Sequence, residues 1–142
     1  MKYLMILTVG ICLLLTSVPA MADQAADEAA IRKVVKETFA TWNAKDLEAH
    51  MALIDENFVE NDLEKGKAAH RKRLEKLFSS EGYTQVKLGE EIDFVFVTPD
   101  LAIYRTHGED LEPAMKWISA WILSKKSGNW LLSADFWWPV EE

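Results

Sequence analysis

Carboxylates and amides crowd the stretch Asp55, Glu56, Asn57, Glu60, Asn61 and Asp62, and another carboxylate, Asp135, immediately precedes the aromatic run Phe136, Trp137 and Trp138. Groups of this type give and take protons at a bound molecule when burial or a neighbouring charge moves their pKa toward the working pH. The 3 histidines, His50, His70 and His107, are too scattered for a sequence-local metal motif. The 1 cysteine, Cys12, sits in an apolar N-terminal run and is lost if that run is removed. No nucleophile-elbow, dinucleotide or phosphate-loop signature occurs, which argues against serine hydrolases and nucleotide enzymes of the familiar types. Neither a metal nor a cofactor is expected.

The elements that must position these groups can be read from periodicity. Ile31, Val34, Val35, Thr38, Phe39 and Trp42 fall on one face of a helix. Asp46 is the natural N-cap of a second, short helix carrying Leu47, Met51 and Ile54, and the polar stretch at Asp55 to Asp62 then begins a strand. Gly66 precedes a third helix, KAAHRKRLEKLF, with His70, Leu74, Leu77 and Phe78 on its inward side. His70 on that side reads as a hydrogen-bonded core or pocket-wall residue. The basic residues from Lys65 to Lys76 read as a solvated helix face, and Glu60, Asp62, Glu64 and the Glu141-Glu142 tail as solvated charges.

From Gln85 the period changes to alternation. A long strand ends at Thr98-Pro99-Asp100, Leu101 to Glu109 forms the next, and Met115 to Ser124 and Trp130 to Trp138 flank a Gly-containing hairpin loop. Helices first and strands after is the signature of an α+β domain with helices on one face of a curved sheet. In the strand from Met115, Trp117, Ser119, Trp121 and Leu123 share one face and Lys116, Ile118, Ala120 and Ile122 the other. Both faces are too apolar for water, so one should cover the helices and the other meet a second copy. Trp117 and Trp121 are expected at the centre of that homodimer contact.

The N-terminus reads as an address. Lys2, the apolar run Leu4 to Leu15 and Ala20-Met21-Ala22 make a secretory signal peptide cleaved after Ala22, leaving residues 23–142 as one exported domain, periplasmic or secreted. The apolar run is shorter than the roughly 20 residues that span a bilayer. The net charge of −7 becomes more negative on loss of Lys2 and disfavours nucleic acid and anionic lipid as partners.

Taken together, TWNAKDLEAH, IDENFVEND, GKAAHRKRL and GNWLLSADFWW resemble the nuclear transport factor 2-like superfamily, in particular its SnoaL-like polyketide cyclase and ketosteroid isomerase branches, over essentially the whole of residues 23–142. The resemblance implies a cone-shaped, cystatin-like roll in which helices pack on the concave face of an antiparallel sheet. It also implies a pocket between the two and frequent dimerisation through the convex face. Pocket-lining residues would be Trp42, Asn61, His70, Tyr104, Thr106, Ser133 and Trp137. The catalytic groups of ketosteroid isomerases fall by position on Thr38, Asn61 and Ala120, none of which can serve. An epoxide hydrolase of the limonene type would need an Asp where Arg105 is followed by His107. One correspondence holds: the acid-base Asp of SnoaL-like cyclases falls on Asp135. The expected role is binding of a small apolar or amphipathic molecule, with cofactor-free isomerisation or cyclisation of a carbonyl compound at Asp135, or a purely structural envelope module, as alternatives.

Overall fold

The computed structural model describes residues 17–61 and 65–140, with side chains from Asp23 onward. The apolar run of the expected signal peptide, the side chains around its cleavage point, and Asp62, Glu64, Glu141 and Glu142 lie outside the described residues. Along the chain come α1 (Ser17–Ala44), α2 (Leu47–Ala52), β1 (Ile54–Glu60), α3 (Lys67–Phe78), β2 (Val86–Thr98), β3 (Leu101–Leu111), β4 (Ala114–Lys126) and β5 (Asn129–Pro139). No helix among the described residues is long and apolar enough to cross a membrane.

The chain divides into two compact units, up to Arg32 and from Lys33. In the first, Arg32 reaches back one turn to Glu28 at 3.1 Å and Ile31 is buried. The second holds the sheet, the shorter helices and the C-terminal turns of α1.

Those turns bury Val34, Val35, Thr38 and Phe39, the stripe that helical periodicity picks out. Thr38 and Thr41 return their hydroxyls to the carbonyls of Val34 (2.9 Å) and Glu37 (2.8 Å), which lets hydroxyl residues sit inside the helix with their oxygens satisfied. Lys45 leaves the helix at φ 53°, and Asp46 caps α2 by accepting from the Ala49 backbone at 3.0 Å.

Helices pack against one five-stranded mixed sheet of order β1-β5-β4-β3-β2. The four later strands form the expected antiparallel meander, and β1 adds a parallel edge against β5. Side-chain alternation marks β1 as a strand but carries no information about its partner. The β4–β5 turn is tighter than the five-residue loop suggested by the sequence. Ser127 and Gly128 both take positive φ, 50° and 82°, the geometry of the two-residue hairpins whose twist matches the strands.

Two features decide which side chains face inward. On β5 the register slips: Ile122 pairs with Ala134, but Leu123 pairs with Leu132, so Ser133 is the extra residue of a bulge. The bulge turns Ser133 to the other face, where its hydroxyl meets that of Ser124 at 2.5 Å, and brings Leu132, Asp135 and Trp137 onto the cavity side. The expected place of Ser133 in the pocket wall is therefore corrected. On β4, Trp117 and Trp121 point inward and are buried, with Phe39 of α1 stacked against both at centroid distances of 5.9 and 5.4 Å. That corrects their assignment to a dimer interface. Gly108, the cross-strand partner of Trp117, makes the arrangement possible, because a Cβ there would lie only 2.1–2.4 Å from three atoms of the indole ring. The outward face of β4 is that of Ile118, Ala120 and Ile122.

Candidate functional site

Within the second unit, the inner sheet face and α1, α2 and α3 enclose a cavity of about 320 Å³. Its wall is largely apolar: Phe39, Trp42, Ile54, Phe58, Leu77, Met115, Trp117, Trp121 and Leu132 all border it, and the part-exposed Trp137 does so from the end of β5. Polar groups concentrate where β1, β5, β4 and α3 approach one another. There stand Glu60, Asp135, Ser119, His70 and Arg73, with His50 close by.

Glu60 and Asp135 are register partners on the parallel strands β1 and β5, and the Asn61 backbone N–H donates to the Asp135 carbonyl at 3.1 Å. Their surroundings differ. The Glu60 side chain, 13% exposed, accepts from the Arg73 guanidinium and has His70 Nδ1 at 3.3 Å from the same oxygen. Burial by itself would raise its pKa; the His70 hydrogen bond and the Arg73 charge outweigh burial and hold the carboxyl below its ordinary value. Asp135 has no such cation in contact. Its Oδ1 is sealed from solvent without a hydrogen-bond partner among the described residues. Burial pushes the group up to about 7; the neighbouring Ser119 hydroxyl, outside hydrogen-bond geometry yet close enough to act, tempers the rise, and the Glu60 charge adds to it. Two carboxyl groups whose environments separate their pKa values in this way divide acid and base roles between them.

The histidines extend this polar end. The His70 ring packs at a tilt against Phe58, centroids 4.6 Å apart, and 5.8 Å from that of His50, while its Nε2 is buried without a partner among the described residues. His50 Nδ1 is 3.0 Å from the Thr41 hydroxyl. Burial, helped by the nearby His70, pushes His50 down to about 4, so it is neutral at physiological pH.

Of the pocket residues expected from sequence, Trp42, His70 and Trp137 line the cavity together with Asp135. Four do not. Asn61, at φ 40°, clamps the Trp137 backbone instead, donating to its carbonyl at 3.1 Å and accepting from its N–H at 3.0 Å. That clamp ties the end of β1 to the Trp137 segment of the cavity wall. Tyr104 and Thr106 are buried on the inner face of β3, but Tyr104 packs near Phe94 and the Thr106 hydroxyl donates to the Glu90 carbonyl at 3.0 Å. Ser133 is turned away by its bulge. Sequence reasoning missed Glu60, Arg73 and His50, because Glu60 and Arg73 look like solvated charges until β1 and α3 bring them together. The one signal available was Glu60 standing two residues after the apolar Phe58 in an alternating strand. Among the described residues no three His, Cys, Asp or Glu side chains are placed to hold a metal ion.

No protein-family profile matches the sequence, and no curated protein matches it. Solved structures do. A nuclear transport factor 2-like protein with a cystatin-like fold from Novosphingobium aromaticivorans superposes with a TM-score of 0.72 at 17% identity, covering 89% of this chain and 90% of that one. A nuclear transport factor 2-like protein of unknown function from Shewanella oneidensis gives 0.68 at 16% identity, with coverages of 78% and 98%. A ketosteroid isomerase-like protein from Erwinia carotovora atroseptica gives 0.66 at 16% identity, with coverages of 80% and 96%. Helices against a five-stranded mixed sheet, matched over most of the length of each of these proteins, are the nuclear transport factor 2-like, cystatin-like fold.

Proposed function

We propose that this protein is an exported binding domain that holds one small apolar or amphipathic molecule between the helices and the sheet. The observation that carries the reading is a cavity of about 320 Å³ with an aromatic and aliphatic wall and one cluster of polar side chains, Glu60, Asp135, Ser119, His70 and Arg73, the usual make-up of a small-ligand site. Native mass spectrometry of protein purified from its own host tests it. A bound molecule should be retained, and Leu132→Trp, which fills the cavity from β5, should abolish it. Protein without any adduct, whose stability is unaffected by filling the cavity, would leave only a structural role.

A second reading has its own support. Asp135, pushed up to about 7, lies beside Glu60, which the Arg73 charge and the His70 hydrogen bond hold below its ordinary value. Such a pair suits acid-base isomerisation or cyclisation of a bound carbonyl compound without a cofactor. Turnover of such a compound, falling with a pKa near 7 and lost in Asp135→Asn, would favour it.

Export rests on Lys2, the apolar run and Ala20-Met21-Ala22, and N-terminal sequencing of secreted material should find Asp23 first. Homodimerisation is proposed through the outward face, where Ile118 and Ala120 of β4 stand opposite Trp138 and Phe136 of β5.

A further inference from the structure

The two indoles stacked on Phe39 differ in one respect. Trp117 donates its Nε1–H to Asp110 at 3.0 Å. Trp121, 3% exposed, has no acceptor for its own Nε1–H among the described residues. Two positions along the same inward face of β4, the Ser119 hydroxyl is 1% exposed and stands by the Asp135 carboxyl without a well-formed hydrogen bond to it. Asp135, the cross-strand partner of Trp121, presents the sealed Oδ1. All three residues line the cavity. Buried polar atoms in folded chains are nearly always paired; Ser119 and Asp135 can meet each other, but the Trp121 N–H is left without an acceptor, which points to a partner that is not part of the chain.

The chemistry of that partner follows from the atoms. An indole N–H can only donate, and a hydroxyl donates or accepts. An aliphatic hydrocarbon would leave both groups unsatisfied, and a molecule offering only N–H donors could not pair with Trp121. A carboxylate would meet Asp110 and Glu60 on the same cavity wall, where Arg73 is already engaged by Glu60. We infer that Trp121 Nε1–H, with the Ser119 hydroxyl beside it, selects uncharged ligands that carry an oxygen acceptor, a ketone or related carbonyl, on an otherwise apolar body. The inference rests on the reading of the cavity as a small-molecule site and names the residue that sets its specificity. Trp121 acts as a binding donor here; the proton chemistry considered above belongs to Asp135.

Two bicyclic probes that differ only at the acceptor test it: 1-tetralone, which has a ketone, and tetralin, which has none. Titrated into the 15N-labelled protein, 1-tetralone should bind at least about tenfold tighter than tetralin, the penalty for leaving a buried donor unpaired. The indole N–H resonance that disappears in Trp121→Phe should move downfield with 1-tetralone and stay in place with tetralin, while that of Trp117, already held by Asp110, should be unmoved by either. Trp121→Phe should bring the two affinities together, and Ser119→Ala, a milder change, should narrow the gap. Equal binding of both probes by the wild-type protein, or an unshifted Trp121 resonance with 1-tetralone bound, overturns the inference and leaves the binding reading intact. Failure of both probes to bind at millimolar concentration overturns the two together.

Discussion

Glu60 and Asp135 sit side by side on parallel strands, and the cavity treats them in opposite ways: Glu60 shares an oxygen with Arg73 and His70, whereas the Asp135 Oδ1 has no partner among the described residues. A carboxyl held low next to one pushed up to about 7 gives the site a built-in pH response near neutrality.

That response sets the first prediction. Asp135 binds its proton more tightly in the folded chain, about 7 against 3.8, so the group's contribution is fully present below 3.8 and is lost as pH rises through 7. Asp135→Asn removes the loss. Urea unfolding at pH 8 should find the variant more stable than wild type by roughly 1–4 kcal/mol, the upper end being the full linkage value, with little difference at pH 3.5 to 4. A variant destabilised at pH 8 would mean that the carboxylate is ionised and paired in the fold.

His50 carries the opposite sign. Its folded pKa of about 4 lies below the ordinary 6.5, so the unfolded chain takes up a proton between these values while the folded chain does not, and stability falls as pH drops from 6.5 to 4. His50→Gln should flatten that limb by up to about 3 kcal/mol. Denaturation series for the two variants over this window should therefore deviate from wild type with opposite slopes.

The Glu60–Arg73 pair is costly to break from one side. Arg73→Met leaves a buried carboxylate short of its cation and should cost about 2–4 kcal/mol at pH 7. Adding Glu60→Gln should recover much of this. Because the Glu60 pKa is depressed, its contribution is present above the unfolded value and fades in acid, so the penalty should shrink at low pH. A double-mutant cycle at pH 7 and pH 4 checks both statements.

Gly108→Ala should act through packing alone. The added methyl displaces the Trp117 ring from its place against Phe39, at a cost of about 1–3 kcal/mol typical of overpacking. Near-ultraviolet circular dichroism should register the disturbed indole, and Trp117→Leu in the same chain should relieve the clash.

The outward sheet face supplies the last prediction. Trp138, 42% exposed, and Phe136 stand opposite Ile118 and Ala120, a contiguous apolar strip of the kind that marks contact surfaces. Sedimentation should show a wild-type dimer that Trp138→Glu converts to a folded monomer. A wild-type monomer at micromolar concentration refutes the proposed interface.

The local elements were legible in the sequence because they depend on periodicity and caps: the stripe of α1, the Asp46 cap of α2, the inward His70 and Leu74 of α3, and the alternating strands. So was the special position of Asp135, a carboxylate beside a run of aromatic residues. Three relationships were decided only by the tertiary structure. Alternation separates the two faces of β4 but does not say which is inward when both are apolar, so Trp117 and Trp121 were placed on the wrong side until Phe39 and Gly108 were seen against them. A bulge is one residue of slack with no composition of its own, and the one at Ser133 chose which neighbours Asp135 keeps. The parallel pairing of β1 with β5 joins Glu60 to Asp135 across more than half the chain, and no local pattern encodes a contact of that sequence separation.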